Sequence, residues 1–135
     1  MYCQPRLLHL LESLDFMAVG SKTLELTKIA AAALAEKLGA EIVAIDLSEQ
    51  LVLNQVFLLV TGNNEPQLDA LSDEVQKRLA KVGEKPVRKE GSGAWRLLDY
   101  SDLVIHIQSA ELRNYYMLDR LWNDCPKIDL DLKIG

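Results

Sequence analysis

Trp95-Arg96-Leu97-Leu98-Asp99-Tyr100-Ser101-Asp102-Leu103-Val104-Ile105-His106-Ile107-Gln108 is the stretch on which the fold turns. Two apolar runs at strand spacing flank a short polar break, the pattern of two antiparallel strands joined by a tight turn. A two-residue loop at Tyr100-Ser101 would set Asp99 opposite Asp102, Leu97 opposite Val104 and Trp95 opposite His106, all on one face. Leu98 with Leu103, Arg96 with Ile105 and Ala94 with Ile107 then share the other. The face bearing Leu98, Leu103, Ile105 and Ile107 is the natural core side. The Trp95 and His106 face carries two side chains with apolar bodies and polar tips, suited to a surface that is wet when free and dry when bound. A slip of one residue would exchange the two faces.

Working outward, Ser109 is placed to cap a helix over residues 110–122, with Pro126 beyond its end. Tyr115, Tyr116, Leu118, Leu121 and Trp122 form mostly a packing face on it. Before the hairpin, residues 86–90 read as a short, charged edge strand and Gly91-Ser92-Gly93 as a turn. Leu68, Leu71, Val75, Leu79 and Val82 recur at helical spacing, behind Asn64 as N-cap and Pro66 in the first turn, and Gly83 ends them. Val56 to Val60 is a continuous apolar run, expected of a strand covered on both faces. Residues 41–47 read as another strand. Residues 22–38 read as a helix capped by Ser21 and stopped by Gly39 in a left-handed conformation, with Leu26, Ile29, Ala33, Leu34 and Leu38 along one side.

The order αββαβββα implies an α/β (α+β) domain with one mixed sheet of about five strands and flanking helices. Residues 21–126 form that domain. Residues 1–20 read as an N-terminal extension outside the core. In the 127–135 tail, Ile128, Leu130, Leu132 and Ile134 alternate with charges. This fits an edge strand on its own sheet, strand addition to another chain, or a disordered tail.

Composition narrows the function. The 135 residues suffice for one core, and the formal net charge of −5 works against binding a phosphate backbone. A basic protein partner is favoured over bare RNA. Cys3 and Cys125 sit far apart in the chain, which fits a reducing cytosol better than a disulfide scaffold. No apolar run is long enough to span a membrane. Neither common Gly-rich phosphate loop is present, and Ser92 between glycines lacks the strand-turn-helix context of a nucleophile elbow. Two histidines cannot build a His-rich metal site. Asp129 and Asp131 read as a solvated face, and Asp99 and Asp102 as caps of turn amides. The expectation is a non-enzymatic chain with no cofactor and no metal.

Glu90-Gly91, the run from Trp95 to Tyr100, Val104-Ile105-His106-Ile107, Arg113-Asn114-Tyr115-Tyr116 and Leu118-Asp119-Arg120-Leu121-Trp122 together resemble, in order and spacing, the iojap family of ribosomal silencing factors. Asp46-Leu47, Phe57, Gly62 and Gln67 extend the resemblance upstream. It implies a nucleotidyltransferase-like fold without the catalytic apparatus. It further implies a cytoplasmic protein that is a homodimer when free and binds neither DNA nor membrane. Such a protein binds the large ribosomal subunit through its protein number fourteen, blocks joining with the small subunit and represses translation when nutrients are short. Carried onto this chain, the partner-binding candidates are Trp95, Leu97, Asp99, Tyr100, His106, Arg113 and Tyr116. Two departures stand out: Gln55 precedes Val56-Phe57 where the family has Asp, and Gly62-Asn63-Asn64-Glu65-Pro66-Gln67 lacks the family's Ser and Arg. The alternatives are a ribosome-assembly or RNA-binding module and a nucleotidyltransferase-like enzyme.

Overall fold

A computed structural model describes residues 20–48, 55–116 and 125–130. Helix α1 (Ser21–Glu36) buries Leu26, Ala30, Ala31, Ala33 and Leu34. Its three alanines let the helix axis approach the sheet closely. It begins one residue earlier than the capping pattern suggests: Gly20, not Ser21, is the N-cap, and its amide donates to Gln55 Oε1 at 2.8 Å. The exit also differs. Leu38, and not Gly39, takes the left-handed conformation (φ 65°), and its side chain is exposed instead of joining the packed stripe. Gly39 is required for space: a Cβ there would stand 2.5 Å from Val60 Cγ2.

Helix α2 (Glu65–Lys81) matches its pattern closely, with Leu68, Leu71, Val75 and Leu79 buried. Asn64 Oδ1 accepts from the Gln67 amide at 2.9 Å, satisfying a donor that the first turn cannot pair internally. Val82 falls past the helix end and is exposed.

Strands β1 (Ala40–Asp46), β2 (Val56–Gly62), β3 (Arg88–Glu90), β4 (Trp95–Asp99) and β5 (Leu103–Ser109) form one mixed sheet in the order β1-β2-β5-β4-β3. Only β2 and β5 run parallel. Helix α3 (Ala110–Tyr116) follows β5 directly, and Ser109 Oγ caps it by accepting from Leu112 N at 3.2 Å. The expected continuation to residue 122 lies outside the described residues, as do residues 1–19 of the expected 1–20 extension, whereas Gly20 belongs to the start of α1.

Alternation divides the sheet. One face, with Ala44, Val56, Leu58, Val60, Leu98, Tyr100, Leu103, Ile105 and Ile107, packs against α1 and α2 as the main core. The opposite face holds a smaller cluster of Ile45, Leu47, Leu59 and Cys125, with Val43 and Phe57 against it. Both faces of the central β2–β5 pair are covered, as the apolar run in β2 requires. Cys125 is disulfide-bonded, which departs from the reduced thiol expected.

The start of the tail pairs with its own sheet. Asp46 N donates to Pro126 O and Ile128 N to Ala44 O, on the free edge of β1, and Ile128 and Leu130 pack against the main core. Residues 131–135 lie outside the described part.

Candidate partner-binding face

The hairpin that should present Trp95 and His106 forms, with its register displaced by two residues from the simplest reading. Leu97 pairs with His106, Trp95 with Gln108 and Asp99 with Val104. Tyr100 and Leu103 close the turn (Tyr100 N to Leu103 O, 2.8 Å), leaving Ser101-Asp102 as the loop. Ser101 takes φ 76°, and Asp99 Oδ1 steadies it by accepting its amide at 2.8 Å. Because side chains alternate with a period of two, a shift of two leaves every residue on its expected face. Trp95, Leu97 and Asp99 thus share a surface with Val104, His106 and Gln108.

On that surface His106 is a floor, not an exposed contact. Only 6% of it is accessible. The Trp95 ring stacks on it, with centroids 6.1 Å apart and planes at 16°, and Phe57 meets it edge-on at 4.9 Å. Burial pushes the imidazole down to about 4, so it is neutral at physiological pH. Gln108 beside it is fully buried, and neither its amide nor either His106 nitrogen has a hydrogen-bond partner among the described residues. Trp95, Leu97 and Asp99 are half-buried above this floor.

A pocket of about 170 Å³ opens between Glu90, Gly91, Trp95 and Leu97. Its wall depends on Gly91, which has φ 89° and where a Cβ would lie 2.2 Å from the Trp95 carbonyl oxygen. Asp99 marks the far end, with Arg88 Nη2 3.5 Å from its carboxylate.

Two of the candidates have other placements. Tyr100 is on the core face, 7% exposed and packed with Leu98 and Leu103; burial pushes its phenol up to about 12. Its position at the closing pair of the turn puts it on the core face instead of in the loop expected from the sequence. Arg113 is 5% exposed. Its Nη1 donates to Glu41 O at 2.7 Å and to Thr61 Oγ1 at 3.1 Å, tying α3 to β1 and β2. The Glu41 carbonyl is available because Glu41 takes φ 51° within the irregular register between Ala40 and Val43. Arg113 therefore holds α3 onto the sheet at β1 and β2. Sequence reading missed Glu41 and Thr61 because no local pattern marks a bulge that a distant arginine fills. Tyr116 lies in α3, but its side chain is outside the described part.

The residues at the departures from the family pattern have hydrogen-bond partners of their own. Gln55 Oε1 accepts from the Gly20 amide at the entrance of α1. Asn64 does the capping a serine would do, and Gln67 accepts from Asn63 N at 2.6 Å while donating to the Lys37 and Leu38 carbonyls at 3.2 and 3.0 Å. That glutamine fastens the start of α2 to the end of α1. Among the described residues no group of three His, Cys, Asp or Glu is placed to hold a metal ion, and no helix is long and apolar enough to cross a membrane.

Comparison with known proteins agrees with this architecture. Residues 21–134 match the family model described as "Ribosomal silencing factor during starvation". The ribosomal silencing factor RsfS of Bacillus subtilis is 35% identical over 106 residues, 77% of this chain and 90% of that protein. RsfS of Chromobacterium violaceum is 36% identical over 100 residues, covering 73% and 82% of the two chains. The chloroplastic protein Iojap of Zea mays is 32% identical over 104 residues, 70% of this chain and 44% of that protein. A crystal structure from Chromobacterium violaceum superposes with a TM-score of 0.71 at 33% identity, covering 81% of this chain and 92% of that one. With a family model matched over residues 21–134 and relatives above 30% identity over most of the chain, the chain belongs to the ribosomal silencing factor family.

Proposed function

We propose that this chain silences the large ribosomal subunit by binding its protein number fourteen and occupying the surface that the small subunit must reach. The observation that carries the reading is the half-buried Trp95 and Leu97 rim over a stacked His106 floor, in a member of this family. A large aromatic held by stacking loses little rotamer freedom on binding, which suits it to anchor an interface. The action is steric and needs no bond to be made or broken, so we read the chain as a regulator and not an enzyme. An interface of about 800 Å² per partner would suffice. Repression of translation when nutrients are short follows from withholding large subunits, and places the protein in the cytoplasm.

Trp95, Leu97 and Asp99 are the proposed contacts, and Tyr116 is kept as a further candidate on the strength of the family resemblance. His106 supports the Trp95 ring from below, and Arg113 holds α3 to β1 and β2. The working unit is residues 21–126, and the free protein is read as a homodimer, which sedimentation equilibrium would check. The reading is tested by pelleting purified large subunits with the protein. Wild type should co-pellet in a saturable one-to-one ratio, and Leu97→Asp should reduce retention at least tenfold. Failure of wild type to co-pellet at excess would refute the proposal.

A further inference from the structure

The net charge of −5 conceals a sharp segregation. Six of the chain's 15 Lys and Arg residues lie between positions 77 and 89, with Glu84 the only acid among them, so that segment carries +5 and the rest of the chain −10. The fold gathers this segment at the end of α2, the loop after it and the edge strand β3. There a cleft of about 520 Å³ is lined by Asp73, Gln76, Lys77, Ala80, Glu84, Lys85, Pro86 and Lys89. Lys77, Lys85 and Lys89 are exposed and form no ion pair among the described residues. Arg78, by contrast, is committed to Glu36 and Glu74, and Glu84 is paired with Lys22 at 2.9 Å. The cleft therefore keeps its cations available while one of its two acids is already neutralised.

We propose that this lysine cleft is a second contact surface, for the phosphate backbone of folded RNA. It rests on the reading that the chain docks on a ribosomal subunit, and it adds the class of the second ligand. Phosphate recognition needs mobile point charges and little else, and lysine supplies them. The lining has no aromatic side chain on which an unpaired base could stack, which points to a structured backbone over single strands. It also has only Ala80 and Pro86 as apolar surface, too little to anchor an acidic protein. Placement supports a joint footprint: Lys89 pairs with Leu98 on the helix-side face, and Glu90 pairs with Leu97 on the Trp95 face. The cleft and the proposed protein contact thus adjoin the same β3–β4 edge, where one large partner can reach both.

The test measures binding of the full chain to purified large subunits, and separately to a generic A-form RNA duplex, across a potassium chloride series. Wild type is compared with Lys77→Ala/Lys85→Ala/Lys89→Ala and with Trp95→Ala. Each phosphate contact contributes about 0.7 to 0.9 to the slope of log affinity against log salt. The triple variant should lose about 2 from that slope on subunits, about a hundredfold in affinity at 0.1 M salt, and should lose duplex binding. Trp95→Ala should weaken subunit binding with its slope unchanged and leave duplex binding intact. Wild-type binding to the duplex without binding to subunits would sink the ribosomal reading and leave the RNA cleft standing. An unchanged slope in the triple variant overturns the cleft. So does a reduced slope on subunits with no wild-type binding to the duplex, which would mark an acidic protein as the ligand.

Discussion

Arg113 and His106 illustrate how far a side chain's role departs from its type. Arg113 holds the Glu41 carbonyl and the Thr61 hydroxyl, so Arg113→Ala strands two acceptors beneath α3. The expected cost is about 2 to 3 kcal/mol, read as a lower urea midpoint. Arg113→Lys should recover only part of it, because one ammonium cannot reproduce the geometry of the guanidinium. An unchanged midpoint would remove the clamp. His106 makes a pH signature. Its unfolded imidazole titrates near 6.5 and the folded one near 4, so within that window the unfolded chain binds more protons. Its contribution is therefore complete above pH 6.5 and is lost as pH falls toward 4. Between pH 7 and pH 5 wild type should lose about 2 kcal/mol more stability than His106→Leu, measured by urea unfolding at each pH. Identical pH dependences would show that the ring is not buried neutral. At this scale the sequence was least legible: Trp95, Leu97, Asp99 and His106 were assigned to the right face, but burial of His106 and Arg113 depends on Phe57, Thr61 and Glu41, which are remote in the chain.

At the scale of elements, periodicity carried most of the information. α2 declared its cap, its apolar stripe and its stop, and β2 its two-sided burial, because each is encoded within a few residues. The hairpin shows the limit. Its faces follow from alternation alone, whereas its register depends on which pair closes the turn, and Tyr100 with Leu103 prevails over Asp99 with Asp102. Pairing Tyr100 with Leu103 buries the aromatic on the core face and leaves two polar residues in the loop. Gly39 was misread for a related reason: a glycine after a helix suggests a conformational need, and here the need is room beside Val60. Gly91 combines both needs, so Gly91→Ala should displace the β3–β4 connection. It should lower stability by at least about 1 kcal/mol and shift Trp95 fluorescence relative to wild type. Gly83→Ala, with a similar φ and open space around it, should cost less and leave the Trp95 signal unmoved. Equal effects of the two substitutions would show that contact with the Trp95 backbone is unimportant.

For the whole molecule, the sheet sorts its two faces by task. One is packed against α1 and α2, and the other carries the half-buried Trp95 and Leu97 proposed as the contact surface. Fold class and family were legible from the ordered blocks that begin at Trp95, since the spacing of residues 95–99, 103–109 and 110–116 reflects one set of consecutive elements. The charge segregation was not, because a net value averages over a surface that the fold divides. The central claim concerns that aromatic surface and is tested by mixing purified large and small subunits with the protein and resolving them on a sucrose gradient. Wild type should shift joined ribosomes to free subunits in a dose-dependent way, and Trp95→Ala, folded to the same far-ultraviolet spectrum, should need at least tenfold more protein. A joined peak unchanged at wild-type excess, or equal potency of the variant, would contradict the account.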